Sequence, residues 1–234
     1  MKALNQLRKN NVLPVISTGR NTSMIKSIIK VTGIQTLICN NGGYLQYQGK
    51  PLNTIAIPTP VLENLVNMAS KYHNALDFQD PYQIVLSQAN ALTTDFYAHR
   101  ITLNPPVNKK FYQSHPIVFV HVFTHKEDGH DLDYINHFKG QLHILRNNPY
   151  TLDVTKVGVS KKLGIQILLK KLHLQNIPTY AFGDGANDIE MLDQVDYGIA
   201  MGNGVKACKD NASFVTDTDD RDGIAKGLKH YHLI

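Results

Sequence analysis

The sequence predicts an α/β protein: a parallel sheet flanked by helices and interrupted by an inserted α+β unit. Three observations lead there. Short apolar runs alternate with helical periodicity up to about residue 50, the texture changes between Lys50 and Tyr150, and the first texture returns after Tyr150. Brief, continuous apolar runs separated by helices are the signature of strands buried on both faces, and the order strand, helix, strand implies parallel pairing.

The elements follow in order. Residues 3–10 form a basic amphipathic stretch, and the apolar run at 12–16 reads as a strand that breaks at Ser17-Thr18-Gly19-Arg20. A helical pattern through Ile25, Ile28, Ile29 and Val31 leads to a strand at 36–39 and the turn-rich Asn40-Asn41-Gly42-Gly43. The middle third predicts a helix at 60–72 and strands at 83–87 and 117–123. Its turns are marked by Pro58, Pro60, Pro81, Pro105, Pro106, Pro116 and Pro149, outside those strands, because proline cannot donate to a ladder. The last third predicts a helix at 160–173, a strand at 179–182, a helix from Asp188, and strands at 198–201 and 214–215. The expected division is therefore a core of residues 1–50 and 152–234 around an insertion at 51–151.

Composition narrows the function classes. With 234 residues, 42% hydrophobic and 18% charged, the chain is long enough for a substantial core and has an ordinary globular balance. A net charge of +5 suits an anionic ligand, but the positive residues are scattered, with no basic run and no aromatic platform to favour nucleic acid. Cys39 and Cys208 have no CxxC spacing, which argues against a disulfide framework or zinc site and suits a reducing cytoplasm. No apolar leader or membrane-length apolar stretch is present. His121 and His125, four apart on an expected strand, do not make a metal pair and read as packing or surface residues.

Chemistry concentrates in three places. In Gly183-Asp184-Gly185-Ala186-Asn187-Asp188, a buried strand delivers one carboxylate and the next helix begins with another, so both acids reach one rim. Hard oxygen ligands at strand carboxyl ends suit Mg²⁺ beside a phosphate. The plainer alternative is a turn in which Asn187 or Asp188 caps the helix. Thr18 follows a strand and precedes a helix, where its hydroxyl and backbone N–H groups could meet a phosphate oxygen, or Ser17 or Thr18 could simply cap the helix. Lys161 and Lys162 sit in the first turn of the helix at 160–173, an unfavourable place for a cation unless it has a role there, although most helix lysines are solvated. Asn41-Gly42 reads as a tight turn, and Asp217, Asp219, Asp220 and Asp222 as a solvated loop.

Together these strings resemble the haloacid dehalogenase superfamily, Cof-type phosphatase branch. GDGANDIEML is similar to its fourth motif, ISTGR to its second and GVSK to its third, in the family's order, with a cap-sized insertion between the second and third. The acidic string also resembles the hinge motif of P-type ion pumps, whose membrane spans are absent here. The resemblance implies a Rossmann-like core with an inserted α+β cap. It further implies that Asp184 is the direct Mg²⁺ ligand with Asp188 as its partner and Asn187 in support. Thr18 and Lys161 would act on the transferring phosphoryl group, with Lys162 as fallback. Gly19, Arg20, Asn41 and Gly42 would lie on the substrate side, and the loop from Asp217 to Asp222 would resemble the closing segment.

The implied reaction is hydrolysis of small phosphorylated metabolites, sugar phosphates or similar, through an aspartyl-phosphate. The family's first motif, DxDGT, carries the attacking aspartate and occurs nowhere in these residues. The expectation is a core lacking its central first strand, a truncated and inactive form whose missing segment belongs upstream of Met1. The competing expectation is a non-catalytic pseudoenzyme that binds phosphate or metal.

Overall fold

A computed structural model describes residues 2–100 and 104–234. The chain divides into two compact units, Met1–Thr18, Ile28–Leu52 and Ser160–Ile234 in the first, Gly19–Ser27 and Asn53–Val159 in the second.

Helix α1 (Lys2–Lys9) leads to strand β1 (Ile16–Ser17), and a 3-10 turn at Thr22–Ile25 opens helix α2 (Lys26–Thr32). Strands β2 (Leu37–Cys39), β3 (Tyr44–Tyr47) and β4 (Lys50–Thr54) complete a four-stranded sheet in the order β1-β2-β3-β4, with β1 parallel to β2. The strand expected at 12–16 is shorter and later. Pro14 has no N–H to give, and pairing with β2 is confined to Ile16↔Leu37 and Ser17↔Ile38. The β3–β4 turn was not anticipated; it places Gln48 and Gly49 at φ 48° and 81°, the left-handed pair that a two-residue hairpin needs.

The second unit contains α3 (Thr59–Lys71), β5 (Ala75–Gln79), β6 (Ile84–Leu86), α4 (Ala91–Arg100), β7 (Phe119–Phe123), α5 (Asp131–His137), β8 (Leu142–Asn148) and β9 (Thr151–Lys156). Its sheet runs β6-β5-β7-β9-β8 and is antiparallel throughout. Alternation sends Leu76, Phe78, Val120, Val122, Leu152 and Val154 into one apolar core. The opposite face carries a polar row, because register aligns Asp77 with His121 and His121 with Asp153. Asp77 is fully buried and accepts from the His121 backbone N–H at 2.9 Å, His121 Nδ1 at 2.6 Å, Gln79 and the Tyr97 hydroxyl. His125 lies beyond the end of β7 rather than on the strand. Strand β9 belongs to this sheet, so the change of unit comes at Val159/Ser160 rather than near 152. The texture that resumes after Tyr150 is at first that of a strand buried between β7 and β8.

From Ser160 the chain returns to the first unit through α6 (Lys161–Lys171), β10 (Tyr180–Gly183), α7 (Ile189–Gln194), β11 (Tyr197–Ala200), α8 (Lys206–Asp210), β12 (Phe214–Val215) and α9 (Gly223–His230). Strands β10, β11 and β12 form a second, parallel sheet. Among the described residues β1 pairs only with β2 and β10 only with β11, so one edge of each has no ladder partner. Helix α6 bridges the two sheets: Ile165 packs against the cluster of Ile38, Leu45 and Leu168 and also against that of Ala181, Met191, Leu192, Ala200 and Cys208. No helix among the described residues is long and apolar enough to cross a membrane.

Candidate active site

The site grows from three loops of the first unit. At the end of β1, Thr18 continues the ladder by donating its backbone N–H to Ile38 O at 2.8 Å, and its carbonyl accepts from the Asn41 N–H at 3.1 Å. The next turn places Asn40 and Asn41 in succession at φ 50° and 53°. Asparagine is among the few residues with a side chain that tolerate this region. Gly42 follows at φ 98°, and a Cβ there would stand 2.2 Å from the Ser160 carbonyl oxygen. That contact presses the turn onto the start of α6. Gly164 does the same one turn later, since its Cβ would come within 2.6 Å of Ile38 Cγ2.

At that helix start Ser160 caps α6, its hydroxyl accepting from the Leu163 N–H at 3.2 Å, and Lys161 becomes the first helical residue. Lys161 is only 6% exposed, and its Nζ lies 2.5 Å from Asp188 Oδ1. The alternative Lys162 is partly exposed and sits 3.7 Å from Asp193. The two lysines differ in surroundings: Lys161 is buried against Asp188, and Lys162 is partly exposed beside Asp193.

The third loop follows β10. Asp188 folds back so that Oδ2 accepts from the backbone N–H groups of Asp184 and Gly185, each at 3.0 Å. Glycine at 183 makes this possible, because a Cβ there would lie 2.6 Å from Asp188 Cβ. The loop is held from behind by Val205, whose N–H donates to Asp184 O at 2.9 Å, and by Cys208, whose thiol donates to Gly185 O at 2.8 Å. Neither support was visible in the sequence, which gives no local sign that residues some twenty positions downstream brace the turn. Asn187 reaches across to the second loop, donating from Nδ2 to Asn41 Oδ1 at 3.0 Å.

Hydrogen bonds thus join Thr18 to Asn41 and Asn41 to Asn187, and the next residue in sequence, Asp188, pairs with Lys161. Gly19 and Arg20 follow Thr18 in sequence but are grouped with the second unit. Asp217 pairs with Lys226 at 2.6 Å on the surface, and Asp219 and Asp220 lie in an exposed 3-10 turn, as a solvated loop requires.

The electrostatics separate the two acids. Burial alone would raise the Asp188 carboxyl, but the Lys161 ammonium and the N–H groups of Gly185 and Asp184 outweigh it and hold the group below its ordinary value. Asp188 is a fixed anion whose two oxygens already have partners. Asp184 is exposed, and its carboxylate accepts no hydrogen bond among the described residues. The Cys208 thiol is raised, first by burial and then by the nearby Asp188 and Asp184 charges, while burial pushes Cys39 up to about 12. Neither environment favours a thiolate: Cys39 is packed in the core, and Cys208 braces the Gly185 carbonyl.

A hard divalent cation fits this donor set in chemistry. Magnesium takes one or two carboxylates and completes its shell with water and substrate phosphate, and Asp184 offers an uncommitted carboxylate at the strand tip. The described residues hold no cluster of three or more His, Cys, Asp or Glu side chains able to cage a metal.

Comparison with known proteins gives the family. Residues 1–228 match the haloacid dehalogenase-like hydrolase family. A putative phosphatase of Bacillus subtilis, YkrA, is 28% identical over all of this chain and 90% of its own length. A hypothetical protein of Geobacillus kaustophilus superposes with a TM-score of 0.93 at 31% identity, covering 100% of this chain and 90% of that one. The subclass IIB sugar phosphatase BT4131 superposes with a TM-score of 0.84 at 26% identity, over 100% of this chain and 90% of its own. The chain belongs to the haloacid dehalogenase-like hydrolases and is by family a phosphatase.

Proposed function

We propose that the first unit carries the phosphoryl site of a Mg²⁺-dependent phosphatase for small phosphorylated metabolites, sugar phosphates or close analogues. The observation that carries this reading is the set of contacts that ties the Thr18 backbone to Asn41, Asn41 to Asn187, and the adjoining Asp188 to Lys161, beside the Asp184 carboxylate, which has no partner among the described residues. A sugar phosphatase among the structural relatives supports the substrate class.

In this reading Asp184 holds the metal directly. Asp188 keeps the loop folded through its backbone contacts and sets the position of Lys161. The Thr18 hydroxyl and the Lys161 ammonium bind oxygens of the transferring phosphoryl group and offset its charge. When bound, Mg²⁺ neutralises phosphate charge and orients the ester. Gly19 and Arg20 are assigned to the substrate entrance. Buried, unpaired thiols suit a reducing cytoplasm as the place of work.

The attacking aspartate of a DxDGT segment is not among these residues. The edges of β1 and β10 that no described strand covers, and the buried Ser17 hydroxyl that lacks a partner among the described residues, support a strand position between them. The chain as it stands is therefore assigned stabilising groups without an attacker. Turnover of p-nitrophenyl phosphate with Mg²⁺ tests this. The 234-residue chain should be silent, and a version with a strand ending in DxDGT added ahead of Met1 should gain Mg²⁺-dependent hydrolysis. Family-level rates without the addition would overturn the inactive assignment. A folded but silent extended version would favour the competing reading, a non-catalytic module that binds metal or phosphate.

A further inference from the structure

The Asn40–Gly42 turn, expected at the substrate side, also reaches the Asp184–Asp188 loop through Asn187. We infer that Asn41 is a positioning residue that clamps the Asp184–Asp188 loop to the Thr18 loop, and that its side-chain oxygen is required for tight divalent-cation binding; this rests on the metal reading above.

Asn41 meets two demands at once. Its backbone is left-handed, φ 53° and ψ 32°, which glycine, asparagine and aspartate accept with least strain. That conformation turns its N–H toward Thr18 O at 3.1 Å and its Oδ1 toward Asn187 Nδ2 at 3.0 Å. Glycine would satisfy the first demand and fail the second, so backbone geometry alone does not explain an amide here.

The clamp acts on the limb of the loop that the contacts of Val205, Cys208 and the Asp188 side chain do not reach. Val205 and Cys208 fix the Asp184 and Gly185 carbonyls, and Asp188 fixes their N–H groups. Asn187 lies on the exposed outer limb of the 3-10 turn, and its side-chain bond to Asn41 ties that limb to the neighbouring loop across 146 residues of sequence. Gly42, pressed against the Ser160 carbonyl, holds the turn in place from the other side. Without the Asn41 oxygen, the loop bearing Asp184 must pay the ordering entropy when a cation binds rather than during folding.

The test uses Mn²⁺ as the probe, with free metal read by electron paramagnetic resonance on the full chain. Asn41→Gly should bind Mn²⁺ about tenfold more weakly than the parent, the scale found for residues that orient metal ligands. Asn41→Asp, which keeps both the left-handed backbone and the acceptor, should bind at least as tightly as the parent. In an Asn187→Ala background, Asn41→Gly should cost nothing further, because the partner through which it acts is gone. Circular dichroism and thermal midpoint should match the parent in each variant.

If the parent takes up no Mn²⁺, the metal reading falls and this inference with it. If the parent binds and Asn41→Gly binds equally well, only the clamp falls. It also falls if Asn41→Asp loses affinity as the glycine variant does, if Asn41→Gly still weakens binding in the Asn187→Ala background, or if Asn41→Gly weakens binding only by unfolding the chain while Asn41→Asp remains folded and weak.

Discussion

The two units each bury an aspartate, and they treat it differently. Asp77 sits mid-strand in the antiparallel sheet, fully enclosed, with donors from its own strand, the neighbouring β7 and a helix. Asp188 sits in a loop at the carboxyl end of a parallel strand, with one oxygen on backbone N–H groups and the other on Lys161. A few residues from it the Asp184 carboxylate has no partner among the described residues, whereas the acids of the Asp77 row are paired. In the antiparallel sheet, register aligns side chains that satisfy one another. At parallel strand ends, the chain turns away and leaves groups for a ligand. Groups already satisfied hold structure, and the uncommitted group is the candidate for chemistry.

The largest test of that contrast is Lys161→Met, which leaves Asp188 charged and buried without its cation. A loss of roughly 3–5 kcal/mol is expected from removing one partner of a buried pair. Urea unfolding gives the magnitude, and hydrogen exchange should place the loss in α6 and β10 rather than in the second unit. An unchanged midpoint would mean that Asp188 is not held as described. Asp77→Ala is the counterpart. Three side-chain donors and one backbone N–H lose their acceptor, at a cost of about 3 kcal/mol, and exchange should quicken in β5, β7 and β9 while Mn²⁺ binding is untouched.

Gly42→Ala comes next, at about 2 kcal/mol from the backbone clash and the positive φ, read as a lower thermal midpoint. Acid sharpens the comparison further. Because the folded value of Asp188 is held below the ordinary carboxylate range, its contribution is complete above pH ~4 and is lost as pH falls through the lowered value. Asp188→Asn should flatten that acid limb of the stability curve, and an unaltered limb would assign acid unfolding to other groups. The smallest expected stability effect is Asp184→Asn, within about 0.5 kcal/mol of the parent because the side chain has no partner to lose. The same change should abolish measurable Mn²⁺ binding, and a variant that still binds would move the metal ligand elsewhere.

Much of this was legible from local pattern. The short apolar runs gave β2, β10, β11 and β12 to within a residue or two, since buried parallel strands leave few polar interruptions. Strand β5, the hairpin of β8 and β9, and helices α4 and α5 went unread. Strand β5 carries Asp77 and Gln79, polar side chains whose burial depends on partners in other strands and so breaks the simple hydrophobic signal. The candidate site residues and their expected roles came from motif resemblance, but the atoms that each one meets did not.

The sequence by itself determined which chemical groups the protein has at its strand ends and in what order they occur. Tertiary structure decided that Lys161 rather than Lys162 turns inward, that Asp188 is engaged while Asp184 is free, and that Asn41 meets Asn187. Periodicity reports whether a side chain is buried, because burial follows the repeat of the local backbone. Which atom a buried group meets depends on how distant loops converge, and no local repeat encodes that distance.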